Sequence, residues 1–157
     1  IKFRAWFIHD EPPLKFIQET VIDKYTRITM VEDPTYSYSI DKIMCDNNWL
    51  LEQFTGLYDK NGMEIYEGDI VLMHQFLFDG TEYDNQLIGS IEYNEGTMSY
   101  CLTNLKNEKI QEYMGYTNDF TSFQKELVPI NSFYGLHEES FEVIGNIHEN
   151  KELLDEQ

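Results

Sequence analysis

Alanine occurs once in the 157 residues, at Ala5, and cysteine only twice, at Cys45 and Cys101. A chain this poor in the strongest helix former has little from which to build long helices. Two cysteines cannot supply the dense disulfide framework of a small secreted domain, so both are read as reduced thiols buried as small hydrophobic side chains. Basic residues are scarce too, 11 against 29 acidic ones, for a formal net charge of −18. Binding to phosphate backbones rests on Lys and Arg, so generic nucleic-acid recognition is not expected, and anionic membranes are disfavoured on the same ground. There is no apolar run of about 18 residues and no basic start leading into an apolar stretch, so no membrane span and no signal peptide are expected. Cytoplasmic localisation follows by elimination.

What is abundant suits strands: 11 Tyr, 10 Phe and many Ile, Val and Thr, which favour a mainly β fold of antiparallel strands with few short helices. Residues 2–8, KFRAWFI, alternate Phe3, Ala5 and Phe7 against Lys2, Arg4 and Trp6, the pattern of a strand with two unlike faces. Pro12 and Pro13 place a turn after it. LKFIQE and YTRITMV continue as strands, with a helix over 14–25 as the alternative. A helical turn starts near Ser39, which offers an N-cap before Ile40, Ile43 and Met44.

Residues 54–71, FTGLYDKNGMEIYEGDIV, carry the densest backbone instructions. Asp59, Lys60, Asn61 and Gly62 read as a type I turn closed by a glycine bulge, pairing TGLY with MEIY in a tight hairpin whose tyrosines, Tyr58 and Tyr66, stack on what lies beneath. Gly68 permits a positive φ and Asp69 can bond the turn backbone before the next strand departs. An antiparallel meander follows, IVLMHQFLF, NQLIGSIEY and TMSYCLT, in which Gly89 marks a bend of the kind that curls short sheets into barrels. Residues 104–140 are an irregular excursion in which Leu105, Ile110, Tyr113 and Met114 are spaced as in a short helix. FEVIGNIH at 141–148 is the closing strand, with Gly145 inside it, and Asn150 caps a brief helix over KELLDEQ.

Three blocks together, KFRAW, FTGLYDKNGMEIYEGDIV and FEVIGNIHENKELL, resemble the YopX family of phage and prophage proteins. The resemblance implies one YopX-like domain over 1–157, with a β-rich subdomain at 1–53 and an SH3-like barrel at 54–148 that contains the excursion. It implies no assigned activity and no catalytic residues. Lys151 stands where members often place proline; proline is only pre-organised there, so the helix should survive.

The chemistry-bearing side chains favour architecture over catalysis. His9, His74, His137 and His148 lie in no spacing that gathers metal ligands, so no metal and no cofactor are expected. The clusters His9, Asp10, Glu11 and His137, Glu138, Glu139 have no nucleophile or oxyanion site beside them. Glu67 and Asp69 flank a glycine and could in principle hold a cation, but a structural corner accounts for each member: glycine for the dihedral, aspartate for capping, glutamate at the surface. Asp59, Asn61, Gly62, Glu67, Gly68, Asp69 and Gly145 are therefore taken as a structural signature. Trp6 and Trp49 are taken as core or interface anchors. The expected function is a non-enzymatic accessory protein that binds a protein partner or a second copy of itself. One alternative is an acidic mimic of DNA that inhibits a host DNA-binding enzyme; another is nucleic-acid binding through barrel loops, which requires Lys2, Arg4, Lys24 and Arg27 to converge.

Overall fold

The computed structural model describes residues 2–18, 27–76, 82–96, 98–106, 128–129 and 141–155. It is mainly antiparallel β and divides into two compact units, Ile1–Phe54 and Thr55–Gln157. The first holds β1 (Phe3–Phe7), β2 (Leu14–Ile17), β3 (Arg27–Met30), β4 (Ser37–Ser39), α1 (Ile40–Met44) and the start of β5 (Trp49–Tyr58). Its strands run in the order β4-β3-β2-β1-β5. Residues 14–17 are thus strand, not helix, since Phe16 pairs with Ala5 on one side and Met30 on the other.

The alternation in β1 puts Ala5 into a core with Phe16, Ile28 and Ile43, flanked by Phe3, Phe7 and Trp49. Trp49 packs its ring edge-on to Phe16 and Tyr38, at 4.7 and 5.4 Å between centroids. The opposite face of β1, which carries Arg4 and Trp6, is buried as well, at 4% and 0% exposure. Register explains how a charge can sit there. Arg4 lies directly across from Glu52 on β5, whose Oε2 accepts both the Arg4 Nε–H at 2.6 Å and the Trp6 indole N–H at 2.9 Å. Lys15, across from Trp6 on β2, places its ammonium 5.6 Å from the indole centroid.

α1 buries only Ile43. Met44 and Cys45 are consequently exposed, so Cys45 is not the buried thiol its sequence suggested; Cys101 is buried, and neither is in a disulfide. Ser39 occupies the N-cap but makes no side-chain capping bond.

The second unit begins within β5, whose latter half pairs with β6 (Glu64–Tyr66). It continues through β7 (Asp69–Phe76), β8 (Glu82–Asn94), β9 (Ser99–Lys106), β10 (Val128–Pro129) and β11 (Phe141–Asn146), a sheet ordered β10-β9-β8-β7-β11, and ends in a 3-10 turn at Lys151–Leu153. β9 and β10 both reach into the stretch read as an irregular excursion. The rest of that stretch, with Ile110, Tyr113, Met114 and the His137 cluster, lies outside the described residues, as does Lys24. Ile65, Val71, Met73, Ile91, Leu102 and Phe141 form the core, with Leu57, Tyr100 and Val143 against it. The β8–β9 register shifts between Ile88 and Ser90, around Gly89. Among the described residues, no helix is long and apolar enough to cross a membrane.

Glu52 is the residue on which the buried face of β1 depends. Removing one partner of a buried, hydrogen-bonded ion pair costs about 3–5 kcal/mol, because the remaining charge stays desolvated. Glu52→Ala should therefore lower the urea unfolding free energy by about that amount, whereas the apolar pair Arg4→Met with Glu52→Leu should recover most of it. A single substitution that is silent in urea unfolding contradicts this assignment.

Candidate functional site

The hairpin turn is closed by two backbone bonds, Asp59 N–H to Met63 O at 2.8 Å and Gly62 N–H to Asp59 O at 3.0 Å, with Gly62 at φ +77°. The Asp59 carboxylate does more than close that turn. Its Oδ1 accepts from the amides of Asn61 and Met63, at 2.8 and 2.9 Å, and its Oδ2 accepts from Val143 N–H at 3.0 Å, 84 residues along the chain. Lys60 adds its own amide to the Phe141 carbonyl at 2.9 Å and its ammonium to the Glu142 carboxylate at 2.6 Å. The turn is thereby fastened to β11. Burial acts to raise the Asp59 pKa, but the N–H donors of Val143, Met63 and Asn61 outweigh it and hold the carboxyl below its ordinary range.

The second reversal uses Glu67, Gly68 and Asp69. Gly68, at φ +78°, donates its N–H to Ile91 O and accepts at its carbonyl from Ile147 N–H, at 2.8 and 2.9 Å. An L side chain at such a φ costs roughly 1–2 kcal/mol, so glycine belongs here. Asp69 is buried and its Oδ2 accepts from Tyr66 N–H at 2.8 Å. Tyr66 is itself buried, its hydroxyl donating to Glu64 Oε2 at 2.8 Å, whereas Tyr58 is exposed. At Gly145 a Cβ would come within 2.6 Å of the Asn150 side chain, so glycine there makes room for the chain to fold back. Asn150 Oδ1 turns back to Asn146 N–H at 3.3 Å instead of capping the helix, which shrinks to a single 3-10 turn. Among the described residues, no group of three or more His, Cys, Asp or Glu side chains is arranged to hold a metal ion.

Glu67 differs from its neighbours. It is half-buried, and its charge acts on Tyr100, on the far strand of the β8–β9 hairpin. Tyr100 pairs with Tyr93, the rings meeting edge to face at 5.2 Å and 69°. Tyr93 is 41% exposed, while Tyr100 is half-buried against the core. Because Gly68 is bonded to Ile91, two residues before Tyr93, the Glu67-Gly68 corner and the tyrosine pair belong to one rigid neighbourhood. The sequence reading passed over this pair; the alternation that aligns Tyr93 with core-facing Ile91 was its available signal. A second signal is charge: from Asn61 to Leu105 the chain has no Lys or Arg, but eight acidic residues.

These features define a mainly antiparallel β protein whose signature residues turn and fasten the backbone, with an acidic, aromatic surface beside them. Over residues 2–155 the chain matches the family model described as YopX protein, and it belongs to that family. A search of the curated proteins returns no match. Among solved structures, the crystal structure of protein EF1440 from Enterococcus faecalis is similar over 98% of this chain and 97% of that one, at 24% identity and a TM-score of 0.46.

Two predictions follow from these carboxylates. Since the folded-state pKa of Asp59 is depressed, its stabilising effect is present above the unfolded carboxylate value of about 4 and is lost as pH falls through the folded value. Asp59→Asn should lower stability at pH 7 by about 1.5–3 kcal/mol, the scale of a hydrogen bond to a charged group, and should flatten the acid limb of a stability–pH curve. An unchanged acid limb in chemical denaturation would contradict it. Tyr100 is shifted the other way, chiefly by burial and further by Glu67 and Tyr93, so its phenol should ionise later than an ordinary tyrosine in a residue-resolved NMR titration. Glu67→Gln should bring that late step partly back, because burial persists; an unmoved step places the charge effect elsewhere.

Proposed function

We propose that this YopX-family chain is a non-enzymatic accessory protein of phage or prophage origin that acts in the cytoplasm by holding another protein. The observation that carries this reading is the Tyr93–Tyr100 pair, presented edge to face on a hairpin that the Glu67-Gly68 corner braces. Rigid, partly exposed aromatics are the usual anchors of protein interfaces, since they offer large contact area at low conformational cost. The groups that could perform chemistry are engaged in architecture instead: Asp59 and Asp69 accept backbone N–H bonds. We further propose that residues 54–148 form an SH3-like barrel, a reading supported by Leu57 and Ile65 of the hairpin sharing one core with β7, β8, β9 and β11. Nucleic-acid binding is not favoured, because Arg4 is buried against Glu52 and Arg27 bonds the Ser37 hydroxyl and carbonyl.

The test is affinity capture with the tagged chain from lysate of a host cell, with light scattering of the purified protein alongside. Retention of a defined protein at near-stoichiometric yield, or a dimer at micromolar concentration, is the expected outcome. No retained protein from a chain that stays monomeric overturns the reading. Retention that collapses with salt and is displaced by duplex DNA turns it to mimicry of DNA.

A further inference from the structure

Cations in the first unit are already seated on rings: the Arg4 guanidinium lies 5.7 Å and the Lys15 ammonium 5.6 Å from the Trp6 centroid, and the Lys42 ammonium lies 4.9 Å from that of Tyr38. The Tyr93–Tyr100 pair has no such occupant among the described residues. Its setting suits one. Where the rings meet at 69° the electropositive edge of one rests on the electron-rich face of the other, which holds the pair at a fixed angle and leaves the exposed Tyr93 ring to offer its π-face to a cation. Glu95, in the turn that joins the two strands, is exposed, and Glu67 lies on the adjoining corner. The chain supplies no competing ammonium or guanidinium from its own sequence anywhere between Asn61 and Leu105.

We infer that the Tyr93–Tyr100 pair, with the carboxylates around it, receives a Lys or Arg side chain from a basic segment of the partner protein. This rests on the interaction reading given above and names the chemistry of its occupant. Tyr93 supplies the exposed ring. Tyr100, held against the core, fixes the angle between the two, and its hydroxyl stays protonated at neutral pH, so the ring keeps its neutral π-face. Charge complementarity selects the occupant: a domain carrying −18 attracts basic surfaces from a distance and repels acidic ones, while the ring pair selects the bound side chain at contact.

The probe is a Gly-Arg-Gly-Arg-Gly peptide, compared with the same peptide carrying citrulline, which keeps the shape of arginine and removes its charge. In NMR titrations of the full chain, the arginine peptide should shift the ring signals of Tyr93 and Tyr100 and bind about two- to fivefold more tightly than the citrulline peptide, the preference expected for a cation at an exposed ring. Tyr93→Ala should abolish that preference, and Tyr93→Phe, which keeps the π-face, should retain it. Equal binding of both peptides, ring signals that do not move, or a preference that survives Tyr93→Ala overturns the inference. The comparison of peptides on the unaltered chain stands even if a variant fails to fold. A captured partner retained equally by wild type and a folded Tyr93→Ala protein overturns this inference alone and leaves the interaction module standing; absence of any partner removes the reading beneath it.

Discussion

One carboxylate organises the second unit. Asp59 accepts three backbone N–H groups, two from its own turn and one from Val143, and so joins a local hairpin to a strand 84 residues further along. A buried amide without a partner would cost about 1–3 kcal/mol, and a neutral acceptor would offset less of that than an ionised one. With the turn fixed on β11, Ile65 of the hairpin and Phe141 of β11 are held in one core, and that core orders β7 to β9. The Glu67-Gly68 corner then docks on Ile91, which sets the position of the tyrosine pair. The surface proposed to bind a partner is thus the far end of a chain of backbone restraints that starts at Asp59.

Much of this architecture was legible in the sequence because it is written in local chemistry. The strands at 3–7, 14–17, 27–30 and 141–146 follow the alternation and β-branched content of their segments, and the helical turn at Ile40–Met44 follows Ser39. What was not legible is long-range. No local pattern announces that Asp59 reaches Val143, that Arg4 is neutralised by Glu52 on β5, or that the Arg4 and Trp6 face of β1 is as buried as the face of Ala5. Cys45 shows the same limit: its burial depended on how many residues α1 could cover, and α1 covers one.

The tyrosine pair was missed for a related reason. Tyr93 and Tyr100 are seven positions apart and become neighbours only through the register of β8 and β9, which the sequence did not define around Gly89. The absence of basic residues from Asn61 to Leu105 was visible, but whole-chain charge obscured it. An acidic surface can be mere solubilising charge; it acquires direction when it surrounds an oriented aromatic pair on a braced corner.

The central claim is that hairpin turn and closing strand open as one unit because they share the Asp59 carboxylate. Native-state hydrogen exchange of the amides of Asn61, Met63 and Val143 measures this directly. The account predicts one common opening free energy and one common denaturant dependence for all three. A Val143 amide that exchanges by a separate opening, with the turn amides still protected, contradicts it.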